Sequence, residues 1–166
     1  MNVQRIIKHI ATPPWAMRRA FSASDLKELE EAIRGSECAH RGEIRFAVEA
    51  ALDLKPLLNG QTPRARAVEL FSDLHIWDTE ENNGVLIYLL LADRQVEIVV
   101  DRGLYQRVGQ APWDALCTTM EATFRRGDFK LGLREGLREI TALLAREYPP
   151  SGPSTNELPN APVVLR

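Results

Sequence analysis

Residues 84–91, GVLIYLLL, form a nearly unbroken apolar run, and VEIVV follows at 96–100 after only Ala92-Asp93-Arg94-Gln95. The length of the run and the turn residues beside it predict a strand buried on both faces. The four-residue spacing makes VEIVV its antiparallel hairpin partner. A strand with two buried faces needs a layer packed on each side of its sheet. That requirement points to helices stacked on both faces.

The rest of the chain supplies them. Ser24 is placed to cap a helix through LKELEEAIRG, with Asp25 and Glu28 in the first turn and Gly35 ending it. EIRFAVEA alternates with the period of a strand, with Ile44, Phe46 and Val48 on one face. Thr62 and Pro63 signal a helix through RARAVELFSDLHI, with Ala67, Leu70, Phe71 and Leu74 inward. WDALCTTMEATFRR predicts another helix, stopped by Gly127. Asp128 caps the last, whose inward stripe is Leu133, Leu137, Ile140 and Leu144. Gly132 and Gly136 share that face and predict close approach of a neighbouring helix. The fold class is α/β: a three-layer α/β/α sandwich with a small mixed central sheet over residues 23–148.

The ends read differently. Residues 1–22 form a basic, aromatic-bearing arm broken by Pro13-Pro14. It either packs on the domain or rests on an anionic membrane or a partner. Residues 149–166, PPSGPSTNELPNAPVVLR, are proline-rich and aperiodic, which predicts a disordered tail.

Composition narrows the function. With 166 residues, 45% of them hydrophobic, the chain has material for one well-filled core. A net charge of −2 and a pI of 6.0 exclude a general nucleic-acid binder, which needs a basic surface. Cys38 and Cys117 make neither a disulfide framework nor a zinc cluster; Cys117 reads as a buried thiol and Cys38 as an unpaired reduced one. The start of the sequence lacks the pattern of a secretory signal, and no apolar run approaches the roughly 18 residues of a membrane helix. A cytoplasmic location, peripheral to the inner membrane face, is the expectation.

Connectivity says which loops meet. The helix between the first strand and GVLIYLLL is long enough to cross the sheet, which makes those two strands parallel, and the hairpin then returns. His40 to Glu43, Trp77 to Gly84 and Asp101 to Gly103 are therefore gathered at one sheet edge. Asp78, Glu80, Glu81, Asn82, Asn83 and Asp101 are hard oxygen donors suited to Ca²⁺ or Mg²⁺. The spacing is not that of an EF-hand: Asn83 and Leu89 stand where the glycine and the bidentate glutamate belong. The competing reading is a solvated turn in which Asn82-Asn83-Gly84 supply left-handed backbone conformations. His75, at a helix end, reads as a cap of the last carbonyls. No nucleophile elbow, P-loop or dinucleotide fingerprint occurs, and His9, His40 and His75 lack metal spacing.

The succession of a capped helix, a strand, TPRARAVELFSDLHIWDTEENNGVLIYLLLADRQVEIVVDRG and FRRGDFKLGLREGL resembles the TPM domain family over residues 24–146. That family includes thylakoid-lumen proteins of photosystem II repair and many bacterial proteins. The resemblance implies an α/β/α sandwich, Ca²⁺ binding near these loops in some members, and acid phosphatase activity in plant members. It also implies a role in assembling or maintaining membrane complexes, with a membrane protein of the LemA type as partner. Matched by motif, the implied functional positions are Asp78, Asn82, Asn83, Asp101 and Gly103. The chain departs from the commoner pattern where Ser24-Asp25 replaces a paired aspartate and Asp101-Arg102-Gly103 replaces a Gly-x-Gly. The expected function is a Ca²⁺- or Mg²⁺-dependent binding or assembly-support module with no organic cofactor. The alternative is a metal-assisted acid phosphatase, with Asp101 and Arg102 as its candidate catalytic residues.

Overall fold

The structure is a computed structural model that describes residues 3–152 and 156–165. Four strands form one mixed sheet: β1 (Glu43–Glu49), β2 (Gly84–Leu90), β3 (Gln95–Val100) and β4 (Val163–Leu165), in the order β3-β2-β1-β4. Strand β2 is buried along its whole length, as its continuous apolar run requires. It runs parallel to β1, with Glu43 opposite Gly84, and antiparallel to β3, with Val85 opposite Val100.

Alternate side chains feed two cores. Ile44, Phe46 and Val48, with Val85, Ile87 and Leu89, face one side. There they meet α3 (Ala23–Ser36), α6 (Arg102–Val108), α7 (Ala111–Arg125) and α8 (Phe129–Glu147) through Ile33, Leu104, Met120, Phe124 and the Leu133-Leu137-Ile140-Leu144 stripe. Ala47, Leu86, Tyr88 and Leu90 face the other side, under α4 (Leu54–Leu58) and α5 (Pro63–Asp73). Two cores on one sheet make the α/β/α sandwich. A Cβ on Gly132 would stand 2.5 Å from the Phe124 ring, and one on Gly136 would stand 2.4 Å from the Met120 sulfur. The glycine pair is what lets α8 lie against α7. Cys117 faces this interior, and burial pushes its thiol up to about 12.

Local signals shift by a residue or two. Helix α3 is capped by Ser22 rather than Ser24. Ser22 Oγ accepts the Asp25 amide at 3.2 Å while the Asp25 carboxylate accepts the Ser22 amide at 2.8 Å, a reciprocal pair that Ser24 cannot form from inside the turn. Helix α6 starts at Arg102, immediately after its cap Asp101. The N-terminal arm forms α1 (Val3–Ile10) and α2 (Ala16–Ala20) on either side of Pro13-Pro14. Met17 and Phe21 reach the main core, so the arm's second half belongs to the domain.

The larger difference is at the other end. The sequence pattern predicts disorder from residue 149, yet β4 pairs in parallel with Ala47–Glu49 of β1, and Leu158 and Asn160 are buried. The reason lies in charges on β1 that alternation alone assigns to solvent. Glu43 accepts the amides of Glu157 at 3.2 Å and Leu158 at 3.1 Å. Arg45 donates to the carbonyls of Pro159 and Ala161, and Asn160 Nδ2 donates to Glu37 at 2.6 Å. Further along, Glu49 is buried between Arg66 and the Tyr88 hydroxyl, which donates to it at 2.6 Å. The contacts of Glu43, Arg45 and Glu37 dock residues 157–161, and Leu158, Val163 and Leu165 add apolar contact with the second core.

Burial pushes the Glu37 carboxyl up to about 7, with the nearby Glu43 charge adding to the rise. A group whose folded value is raised contributes its full stabilisation below the unfolded value of 4.5, and that contribution is lost as pH climbs towards 7. Amide protection along the β1–β4 pairing should therefore fall between pH 4.5 and 7. Glu37→Gln should flatten the fall, which hydrogen exchange read as protection factors at several pH values will check. A wild-type profile as flat as the variant's would rule out this coupling.

Candidate functional site

The start of β1, the start of β2 and the end of β3 lie together, as the crossover and hairpin require. The Asp101 amide donates to Gly84 O at 2.9 Å and the Glu43 amide to Asn83 O at 3.4 Å, so main-chain bonds join all three segments. Asn83 extends the joint, since its Nδ2 donates to Arg41 O at 2.7 Å and its amide to Thr79 Oγ1 at 3.1 Å.

Within Asn82-Asn83-Gly84 only Asn82 is left-handed, at φ 51°. Gly84 is needed for another reason: a Cβ there would stand 2.2 Å from the carbonyl oxygen of Ile76. Gly103 is crowded as well. Its Cβ would meet Asn82 O at 2.5 Å and the Tyr148 hydroxyl at 2.8 Å. The glycine of Asp-Arg-Gly is thus where α6 presses its first turn against the β2-side loop. His75 is left-handed as well, at φ 53°, and its ring packs edge-on to Trp77.

The expected cation ligands occupy unequal positions. Asp101 is buried and caps α6, with Oδ1 accepting the Arg102 amide at 2.6 Å; its Oδ2 is buried without a hydrogen-bond partner. Asn83 Oδ1 is buried and unpartnered in the same way. The Asn82 side-chain oxygen is taken by Arg102 Nε at 3.0 Å, and Asp78 is exposed on the turn after α5. Among the described residues no group of three or more His, Cys, Asp or Glu side chains is placed to hold a metal. The buried, unpartnered oxygens suited to a hard cation at this edge are two, one of them from a carboxylate.

Arginines surround this edge. Arg41 pairs with Glu81 and holds the chain beyond α8 through Pro149 O. Arg107 lies 4.4 Å over the Tyr148 ring and donates to Glu147 O. With Glu81, Asn82, Arg102, Gly103 and Gln106, Arg107 and Tyr148 line a depression of about 370 Å³. Burial raises the Tyr148 hydroxyl above its ordinary value, and burial lowers the imidazole of the nearby His40, whose Nδ1 lies 3.0 Å from Gly42 O. Local sequence reading assigns no role to Tyr148 or Arg107. Tyr148 arrives from the far end of α8, remote in sequence, and Arg107 stands one helical turn beyond Gly103 on α6; no motif spacing marks either.

The model of the TPM domain matches residues 17–143. The chain belongs to the TPM domain family. It is similar to the BA42 protein from the psychrophilic bacterium Bizionia argentinensis, whose NMR structure superposes with a TM-score of 0.76 at 30% identity, over 87% of this chain and 94% of that one. The N-terminal domain of a P. gingivalis protein shares the fold with a TM-score of 0.63 at 17% identity, over 86% and 95% of the two chains. No curated protein matches.

In this TPM chain Gly103 is the position on which the edge closes. Gly103→Ala should cost about 1–3 kcal/mol of stability, because a backbone oxygen blocks the added methyl and cannot swing aside. Denaturant unfolding will measure it. An unchanged midpoint would show that the first turn of α6 can move off the loop.

Proposed function

We propose that this TPM domain is a binding or assembly-support module whose loop edge takes a hard divalent cation, Ca²⁺ or Mg²⁺. What carries the reading is the pair of buried, unpartnered oxygens, Asp101 Oδ2 and Asn83 Oδ1. A buried acceptor without a donor costs on the order of 1–3 kcal/mol, more when charged, and a cation removes that cost. Asp101 would supply the charge and Asn83 a neutral oxygen, with water completing the shell. Asn82 and Asp78 would join only by leaving Arg102 and the solvent, respectively. The module would serve a membrane complex, and the proposed partner, supplied by the family resemblance alone, is a membrane protein of the LemA type.

A second reading, a metal-assisted phosphomonoesterase, is favoured by the three arginines Arg41, Arg102 and Arg107 at the same edge. A bound cation would supply Lewis acidity toward phosphoryl oxygens, while Arg102 would meet developing negative charge. It ranks second because each arginine is already engaged, with Glu81, Asn82 or Tyr148.

Asp101→Asn separates the two. Asparagine keeps the helix cap, so the fold should persist, while the lost charge should weaken cation binding on the order of tenfold or more. Calorimetry and NMR titration with Ca²⁺ and Mg²⁺ read the binding, and hydrolysis of a generic phosphomonoester reads the activity. The module reading expects no hydrolysis above the variant's. Metal-dependent turnover that disappears with the carboxylate would establish the phosphatase instead, and no cation binding at millimolar concentration would end both readings.

A further inference from the structure

At the far end of the sheet, helix α1 is attached mainly by polar side chains, with Ile6 packed against the core beside them. His9 is buried, its Nδ1 accepting the Leu52 amide at 3.0 Å and its Nε2 lying 3.2 Å from Asp93 Oδ2. Arg5 bonds the same carboxylate at 2.9 Å and Gln61 O at 2.8 Å. Val3, Ile7 and Ile10 recur at helical spacing more than a quarter-turn round from Arg5 and His9. They are 59%, 59% and 70% exposed. Of the isoleucines of α1 only Ile6 packs against the core, half-buried; a helix packed for burial alone would turn Ile7 and Ile10 inward as well and leave its charges in water. Of the ten large apolar side chains exposed among the described residues, six stand here: Val3, Ile7, Ile10, Trp15, Leu54 and Leu58. Ile10, Pro14 and Leu54 line one small pocket, so the patch continues from α1 onto α4.

A groove of about 1090 Å³ adjoins the patch at Thr12, between α1, the β2–β3 turn and the α7–α8 turn. Five cationic and two acidic side chains line it, a formal excess of three positive charges on a chain whose net charge is −2. Both acids are occupied: Asp93 holds Arg5 and His9, and Asp128 caps α8. Among the cations, Lys130 pairs with Asp25, whereas Lys8 and Arg19 are exposed and have no ion-pair partner among the described residues. An exposed apolar stripe with an exposed tryptophan beside unneutralised cations is the pattern that an anionic lipid surface complements.

We propose that this end of the molecule is a docking surface for an anionic bilayer. Val3, Ile7, Ile10 and Trp15 enter the acyl boundary, and Lys8, Arg19 and the groove take the phosphates of the headgroups. His9 and Arg5 fix the orientation by holding α1 rigidly to the end of β1 and the hairpin turn. The seven-residue β1 spans roughly 20 Å between this surface and the Asp101 edge, so docking points that edge away from the bilayer. The proposal is independent of whether that edge binds a cation.

The test uses the full chain with phosphatidylcholine vesicles and with vesicles that also contain phosphatidylglycerol. Sedimentation should show binding to the anionic vesicles, weakened by salt, and a blue shift of tryptophan emission that Trp15→Ala removes. Ile7→Asp with Ile10→Asp should weaken binding at least about tenfold, and Arg19→Gln about fivefold, with unfolding midpoints unchanged at these exposed positions. Equal partitioning onto neutral and anionic vesicles would overturn the proposal, as would full binding by the folded double variant. A dimer that the double variant converts to monomer, without vesicle binding by either, would assign the stripe to self-association and overturn it equally. Should the double variant not fold, Trp15→Ala and Arg19→Gln alone decide: both must weaken binding.

Discussion

Burial of β2 on both faces is the constraint from which the rest of the structure follows. A strand with no solvent face cannot sit at the surface of a two-layer protein, so helices must cover it from both sides. Parallel pairing with β1 then demands a crossover, which α5 supplies, and the short turn at Asp93 demands a hairpin. Once those two connections are made, the loops before β1, before β2 and after β3 have no choice of neighbours. The main-chain bonds from Asp101 to Gly84 and from Glu43 to Asn83 record the outcome. The candidate site is a by-product of topology before it is a set of side chains.

The glycines show how closely the layers are set. Gly132 and Gly136 admit Phe124 and Met120, Gly84 admits a carbonyl of the preceding loop, and Gly103 admits both Asn82 and Tyr148. Each costs some backbone entropy, which the close contact must offset. The last two are at the candidate site, where the approach is to backbone oxygen and no side-chain rearrangement can relieve a methyl group. Packing precision and site geometry are the same property there.

Buried charge organises the parts that hydrophobic patterning leaves undefined. Glu37, Glu43 and Arg45 hold the segment carrying β4 against β1, and Asp93 holds α1 through Arg5 and His9. In both cases satisfying charges that would otherwise be stranded positions the segment, beside a few apolar contacts: Leu158, Val163 and Leu165 for β4, Ile6 for α1. The two attachments place polar chemistry at one end of the sheet and exposed apolar surface at the other. That polarity is the basis for reading the molecule as a module with one functional edge and one docking end.

The sequence by itself determined the layers, the strand directions and the convergence of three loops, because these rest on periodicity, segment length and connection rules that act locally. GVLIYLLL, the Thr62-Pro63 start and the Asp128 cap are legible without any partner. The three-layer class and the family resemblance follow from them. Only the tertiary structure decided the fate of Glu43, Arg45 and Glu49. Strand alternation assigns them to solvent, and their partners stand far away in sequence. The same holds for β4, whose three residues are too few to carry a period, and for Tyr148, which reaches the site from the far end of α8. Among the expected ligands, residue type marked Asp78, Asn82, Asn83 and Asp101 alike. Their inequality, with two oxygens buried and unpartnered, one taken by Arg102 and one in water, is set by which donors happen to lie within hydrogen-bond reach. Hydrogen-bond reach is a property of distance in space, and no spacing along the chain encodes it.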